Sequence, residues 1–534
     1  MAPNTGALAM DGNSSGTTPP PGRRALPADV EAAHDVARQP SLIPLRSGRG
    51  VALIAATVFA SMAGFLDATV VNVAVPAIAN DLGASLVALQ WSLTGYLLTA
   101  ASLLLVAGTF ADRYGRRRVL VIGLLIMLVA SVGCALAPSF AVLIAARILQ
   151  GVGAALVVPS SLALLNGTLR VPDRAPGIGI WAGLASLGGL LIGPFVGGWL
   201  VDHASWRAVF LLNIPLILAA LLALVRVPDS GASRGRFSLD AAGASLAVVG
   251  LAGLIDGLTA GPTVGWTSPR VIAGIVVGVV CLIALIPTER HVRAPMLKLS
   301  LFESHQFTAI NIATVVFYGA LAAAGYLLVL RCELTLDYTA TAAGAVLIPS
   351  SVIFLILSPV SGALVRRIGP RRLMTAGILA VAVGFVWLAL AGPAGTYAET
   401  ILPGVLLWGL GLGLTVTPLT AAVLAAVGDA DLGEASAISD VASRLGGAIM
   451  TALVPVLIGV QAGRSLSEAL AHGYRPAMIV LAGLCLVAAV ISAIYVQDRR
   501  TVVPAFAPPA PYHGCALPDP GAGIVPARAP ITKT

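Results

Sequence analysis

Two charges interrupt long apolar runs. Asp67 breaks FLDATVVNVAVP, and Arg147 lies in RILQGVGAA, with Gln150 and Gly151 one turn further on. An acid carried into hydrocarbon costs at least about 2.5–3.5 kcal/mol on insertion scales, so it must face a partner or a wet cavity. Burial there disfavours the charged form, which lets a carboxyl take up and release a proton near neutral pH. Arg147 stays charged and acts through its field, lowering the proton affinity of a nearby acid or orienting it. Proton exchange is therefore the chemistry these residue types offer. The competing readings are a structural bond from Asp67 to Asn72 near the membrane surface and a fixed ion pair of Arg147. Glu333 in RCELTLDYTATAAG is either an interfacial acid or a further site for protons or cationic substrates. Asp440 and Arg444 stand four apart on one helix face, the spacing of a structural pair, and Asp256 reads as interfacial.

Other chemistries find little support. Cys134, Cys281 and Cys485 fall inside apolar runs, Cys332 at a helix end and Cys515 in the tail. That scatter has no metal or redox spacing and reads as packing. His34, His203, His291, His305, His472 and His513 all lie in loops or tails, which argues against a metal centre, a His-based active site and an enzyme. The run GLGLG at 409–413 has no preceding strand and cannot be a nucleotide loop. No G-x-x-x-x-G-K-[ST] motif occurs, so an ion gradient rather than ATP held by this chain is the expected energy source, and no cofactor is expected.

Positioning the two charges falls to membrane helices. The 534 residues are 57% hydrophobic and 10% charged, with mean hydropathy +0.93. Apolar runs of about 20 residues, the length that crosses a bilayer core, recur from Val51 to Val496. Backbone polar groups in lipid must be satisfied within each segment, so the runs are helices. Fourteen are expected, near 51–78, 86–109, 118–137, 140–165, 177–201, 207–225, 240–260, 271–287, 307–330, 341–365, 372–391, 400–426, 434–460 and 476–496. Residues 1–45 and 501–534, rich in Pro, Gly, Ser and Ala, read as disordered tails. The net charge of +8 is carried almost wholly by Arg, Lys298 and Lys533 being the exceptions. It concentrates in alternate connections, DRYGRRR, RVPDSGASRGR, ERHVRAPMLK and RRIGPRR, and this bias puts both termini in the cytoplasm. With no soluble domain to carry a basic face, nucleic acid is not an expected partner. The acidic loop GDADLGE before the thirteenth helix runs against the trend.

The loop GTFADRYGRRRVL at 108–120 returns in altered form as GALVRRIGPRRLM at 362–374, after the second and the tenth helix. If helices seven and eight are an insertion, those are equivalent places in two six-helix bundles, 51–225 and 307–496, with 240–287 between them. Duplicated halves that rock about a central site are a transporter architecture.

On these residues the sequence resembles the major facilitator superfamily, and within it the fourteen-helix drug:proton antiporter family of multidrug efflux permeases. Gly108, Asp112, Arg113, Gly115, Arg116 and Arg117 match the superfamily's loop motif, with Phe110 in place of the usual Leu. FLDATVVNVAVP, RILQGVGAA and GGLLIGPFVGG resemble the family's first-, fourth- and fifth-helix motifs; WRAVFLLNIP and APMLKLSLF also fit. The resemblance covers residues 50–498. It implies proton coupling or substrate contact at Asp67, Arg147 and Gln150, and a cytoplasmic gate in the 108–117 loop, where Asp112 would bond arginines and a helix end of the opposite half. Arg366 takes the place of Asp112 in the later copy, which lacks that acid. Gly189, Gly193 and Gly197 recur every four residues, with Pro194 favouring a bend and Gly198 beside them. The resemblance assigns this seam to the interface between halves. The expected protein is a multi-pass, monomeric plasma-membrane antiporter that exports drugs or other small amphipathic or apolar compounds. One alternative is a dedicated exporter of a single endogenous metabolite, lipid or amino acid. Another is a non-transporting receptor or scaffold, for which no folded soluble domain is evident.

Overall fold

The computed structural model describes residues 42–83, 86–228, 240–292, 297–392, 395–428, 431–460 and 466–498. Among them the regular elements are helices, with one isolated bridge between Ile43 and Leu169. In chain order they are α1 (Gly48–Leu82), α2 (Leu86–Tyr114), α3 (Arg116–Ala135), α4 (Phe140–Thr168), and α5, made of Val171–Leu187 and Gly193–His203 about a π turn. Then come α6 (Trp206–Leu224), α7 (Ala241–Val264), α8 (Pro269–His291), α9 (His305–Leu334) and α10, made of Ala340–Ala345 and Ile348–Ile368. The last are α11 (Pro370–Leu390), α12 (Leu402–Ala425), α13 (Leu432–Ala452) and α14 (Leu466–Tyr495). Eleven helices among the described residues are long and apolar enough to cross a membrane. Outside the eleven are α2, α5, which the π turn divides, and α13, which carries Glu434, Asp440 and Arg444. By length and apolarity alone, eleven of the fourteen expected spans are met among the described residues.

Local sequence explains the irregularities. Ser47 caps α1, its Oγ accepting from the Gly50 N–H at 3.1 Å. Near Pro76, which can give no N–H to the Asn72 carbonyl, α1 tightens to a 3-10 turn at Val71–Ala74. Its end is fixed by Gly83 at φ 61°. Helix α14 begins at Leu466, ten residues before the expected start, because a helix tolerates Pro476 when neighbours cover the break.

The packing repeats. In the first set α1 lies on α5 and α6, α4 on α2 and α3, and α3 on α6; in the second, α9 lies on α13 and α14, α12 on α10 and α11, and α11 on α14. The sets meet through two reciprocal seams, α2 with α13 and α5 with α10. The hairpin of α7 and α8 leans on α2 and α13 through α7. Trp91 Nε1 of α2 donates to Asp256 at 3.2 Å, and Arg270 bonds the same carboxylate at 2.8 Å. Asp256 is therefore the hairpin's anchor.

Call the end where α1 starts and α14 finishes proximal, and the other distal. The distal core is one cluster shared by both sets, joining Leu66, Val70 and Phe210 to Phe317, Leu327 and Val346. Proximally it divides. Leu53, Leu120, Val157 and Leu165 form one cluster, and Phe307, Met374, Leu419 and Ile438 another. The two sets share one apolar core at the distal end, and each buries its own at the proximal end.

Candidate functional site

Along α1 the buried positions Leu53, Ala56, Ala60, Ala63, Asp67 and Val70 follow a helical spacing of three and four. Asp67 thus occupies a place that would otherwise be apolar, and it is wholly inaccessible. Arg147 and Gln150 lie on the buried stripe of α4. The Arg147 guanidinium bonds Asp67 Oδ2 at 2.6 Å, with both side chains at most 1% exposed. The Gln150 amide donates to Asp67 Oδ1 at 3.1 Å, and Asn213 of α6 donates to the same oxygen at 2.8 Å. Arg147 also donates to the Ser92 carbonyl of α2 at 2.9 Å and to Gln150 Oε1 at 3.0 Å. Gln150 reaches Ser131 of α3 at 2.9 Å, and the Cys134 thiol donates to Gln150 Oε1 at 3.2 Å. The Tyr96 ring lies 4.5 Å from the guanidinium carbon and the Phe210 ring 6.0 Å. Five helices of the first set therefore converge on one ion pair.

The structure brings together three of the four predicted coupling residues. The competing bond from Asp67 to Asn72 is not made among the described residues; the acid turns inward to Asn213. Cys134 is more than packing, since it belongs to the polar cluster. Gly151 permits the assembly, because a Cβ there would lie 2.6 Å from the Tyr96 carbonyl oxygen. Sequence reasoning missed Ser92, Tyr96, Ser131, Phe210 and Asn213. Asn213 did leave a signal, as the lone polar residue in FLLNIPLIL.

Glu333 does not join them. It lies in the second set, at the distal end of α9, half-buried, with Oε1 lacking a hydrogen-bond partner. The connection after α9 folds back over it, and Tyr338 N–H returns to the Cys332 carbonyl at 2.9 Å. Glu333 is therefore less exposed than an ordinary interfacial acid.

The glycine seam of α5 divides its work. Gly189, Gly193 and Gly197 face α1: a Cβ on Gly189 would lie 2.8 Å from the Phe65 carbonyl oxygen, and one on Gly197 would overlap Val70. Those three belong to packing within the first set, which corrects their assignment to the interface between halves. The interface falls instead to Gly198, whose added Cβ would strike the Ala340 carbonyl of α10, and to Pro194, whose carbonyl is met by Gly344. The reason is helical phase: residues four apart share one face, and Gly198 is a step of about 100° round from Gly197.

A π turn at Gly188–Ile192 sets that phase. In π register the Gly189 carbonyl needs the N–H of residue 194, and proline has none. Thr69 of α1 supplies the donor, its Oγ1 bonding the Gly189 oxygen at 2.7 Å. Thr69→Val is expected to leave that carbonyl unsatisfied at a cost of about 1–3 kcal/mol. A lowered unfolding midpoint of the purified protein would show it; an unchanged midpoint would mean the hydroxyl is dispensable.

At the distal end Asp202 of α5 reaches across to the start of α10. Its carboxylate accepts from Ala340 N at 3.1 Å, Thr341 N at 2.8 Å and Thr341 Oγ1 at 2.5 Å. The first N–H groups of a helix lack internal partners and favour an anion, so this is a helix cap supplied from the opposite set. Asp81 is a second distal brace, bonding Arg207 at 2.7 Å and Trp206 Nε1 at 3.0 Å.

In the proximal loop Gly115 takes φ 97°, a conformation that requires glycine between α2 and α3. Arg116 donates to the Ala163 carbonyl of α4 at 3.0 Å, and Arg117 to the Leu224 carbonyl at the end of α6 at 3.2 Å. Both bonds stay within the first set. Gly108 has open space about it, and Arg113 lies over Tyr114 at 5.4 Å. The side chain of Asp112, and that of Arg366 in the later copy, lie outside the described residues. The later loop keeps the same backbone, with Gly369 at φ 91°, and Asp498 beyond α14 accepts from Arg371 N at 3.0 Å. Each copy ties the start of one helix to the end of another.

The acidic loop before α13 finds its counter-charge in Lys298, whose ammonium lies 2.5 Å from Asp431 and 3.8 Å from Glu434. Those bonds hold the Lys298 ammonium above its ordinary pKa. GLGLG lies within α12, where a Cβ on Gly411 would clash with the Gly377 carbonyl, so it serves close packing. The described histidines His203, His291, His305 and His472 are exposed.

The helices thus form two repeated sets, with a buried ion pair inside the first. The family model of the Major Facilitator Superfamily matches residues 57–451, and the chain belongs to that superfamily, in its drug:proton antiporter family. It is 36% identical over 391 residues to the multidrug resistance protein Stp of Mycobacterium tuberculosis (strain CDC 1551 / Oshkosh), covering 72% of this chain and 71% of the relative. It is 33% identical to the cephamycin export protein CmcT of Amycolatopsis lactamdurans (84% and 94% covered) and 31% identical to the puromycin resistance protein pur8 of Streptomyces alboniger (81% and 89%). A crystal structure of a mutant of the peptide transporter POT in complex with sulfate shares the fold at TM-score 0.63 and 15% identity, covering 86% of this chain and 96% of that one.

Proposed function

We propose that this chain is a proton-coupled antiporter that exports drugs or other small amphipathic compounds through a major facilitator bundle of fourteen crossings. The two six-helix halves are 51–225 and 307–496, the inserted pair is 240–287, and both termini lie in the cytoplasm. One observation carries the reading: the dry ion pair of Asp67 and Arg147, with Gln150 and Asn213 on the same carboxylate. Breaking such a pair by neutralising one member costs about 3–5 kcal/mol. Each unit of pH gradient supplies about 1.4 kcal/mol, and each 100 mV about 2.3 kcal/mol per charge moved. The proton gradient is therefore of the right size to operate it.

Protonation of Asp67 would remove the anion that holds Arg147 and free the guanidinium for another partner. The buried Asn213 Oδ1 has no hydrogen-bond partner; a half-turn of that amide would present it to the protonated carboxyl. A core shared distally and separate proximally supports reading this conformation as the one that opens to the cytoplasm. Everted vesicles from an efflux-deficient host test the reading. ATP-independent uptake of a fluorescent amphipathic dye on imposing an acidic interior, abolished by a protonophore, is the expected result. Uptake indifferent to the pH gradient would refute coupling.

A second reading, export of one compound only, draws on relatives named for cephamycin export and for tetracenomycin C resistance and export. A resistance profile confined to a single chemical class would favour it.

A further inference from the structure

On α13 Ser436, Asp440, Arg444, Ala448 and Ala452 recur every four residues, a stripe that winds about 40° round the helix at each step. Its distal part is dry. Ala448 and Ala452 are buried, at 1% and 0% exposure, against Leu98 of α2 and Leu251 and Ile255 of α7. Its proximal part is not, since Asp440 is exposed although it stands two turns inside the helix. The opposite face, with Ala435, Ile438, Ala442 and Gly446, is buried, and Gly446 abuts the Val315 carbonyl of α9. The face bordering α2 therefore changes from an apolar seal to a pair of opposite charges toward the end where each set buries its own core.

The expected i, i+4 ion pair is not made. Among the described residues neither side chain has an ion pair or a side-chain hydrogen bond, even though a single turn separates them. An acid and a base on adjoining turns of a membrane helix, bonded neither to each other nor to another described side chain, are placed to meet a ligand. We propose that Asp440 and Arg444 form a two-point recognition site for zwitterionic cargo, Asp440 taking a protonated amine and Arg444 a carboxylate. Groups bound there sit directly beneath the seal of Leu98, Ala448 and Ala452, so closure of the proximal side would bury them. The inference rests on the transport reading and adds the cargo's charge pattern to it.

Pure protein in liposomes tests it with three probes: cephalexin (amine and carboxylate), cephalothin (carboxylate alone) and puromycin (amine alone). Binding is read by quenching of intrinsic tryptophan fluorescence, and a neutral amphipathic dye serves as the transport control. Wild type should hold cephalexin more tightly than either single-charge probe. Asp440→Asn should weaken cephalexin and puromycin about tenfold and spare cephalothin; Arg444→Gln should weaken cephalexin and cephalothin and spare puromycin. Asp440→Glu should restore the amine. Equal losses for all probes, or none, with wild-type dye transport retained, would overturn the two-point site and leave the transporter standing. Loss of gradient-driven dye transport in wild type itself would instead remove the reading beneath it.

Discussion

Asp67→Asn is expected to lower proton-driven transport by about a hundredfold or more, leaving the protein in the membrane in normal amount. The size follows from the pair's geometry. The Arg147–Asp67 contact of 2.6 Å is dry, and a difference of about 3 kcal/mol between states is more than a hundredfold in population. Asparagine keeps the shape and still accepts from Arg147, but it cannot exchange a proton. Energised uptake should vanish, whereas exchange of labelled for unlabelled cargo at equal pH persists. Arg147→Met should behave differently, because the orphaned Asp67 can neutralise itself by binding a proton. The double variant should recover part of the stability each single one loses, a coupling of about 1–3 kcal/mol in a double-mutant cycle. Undiminished pH-driven uptake by Asp67→Asn would take this acid out of the mechanism.

How much of this was legible in the sequence depended on the kind of contact. Helices and their order follow from the need to close backbone bonds in lipid, so runs such as 118–137 and 372–391 landed within a few residues of α3 and α11. Asp67 and Arg147 declared themselves because an isolated charge in an apolar run demands a partner. The partner's identity was hidden, since the two lie 80 residues apart and Asn213 a further 66. Ser131 looks like any small polar residue until side chains from two other helices reach it. The phase of the glycine seam was invisible for a different reason. A π turn adds a residue to one turn and rotates all that follows, and nothing in GGLLIGPFVGG announces it except Pro194. The i, i+4 bond expected of Asp440 and Arg444 is not made, because that rule describes an isolated helix, and here the face borders the seam between two sets of helices.

The distal closure supplies the other large effect. Gly198→Val is expected to force α5 away from α10, because even a Cβ at Gly198 would overlap the Ala340 carbonyl, a backbone atom that cannot swing aside. Overpacking of this kind costs about 1–3 kcal/mol, all of it charged to the distally closed state, so the closed population should fall roughly five- to 150-fold. Asp202→Ala attacks the same closure by another route, removing a carboxylate that satisfies two backbone N–H groups and a hydroxyl at the start of α10. Hydrogen bonds to a charged acceptor are worth about 1.5–3 kcal/mol. Ala340 is only 7% exposed in the closed state, so Ala340→Cys in a cysteine-free background reports opening through labelling by an impermeant maleimide on the distal side. Both variants should raise labelling at least about fivefold, and the wedge should do so even where the latch is intact. The two causes are separable. Asp202→Asn keeps the acceptor oxygen without the charge and should fall between wild type and alanine, whereas no substitution that keeps a Cβ at Gly198 should rescue closure. If Gly198→Val labels like wild type, α5 and α10 do not close against each other, and the distal seal must lie along α2 and α13 alone.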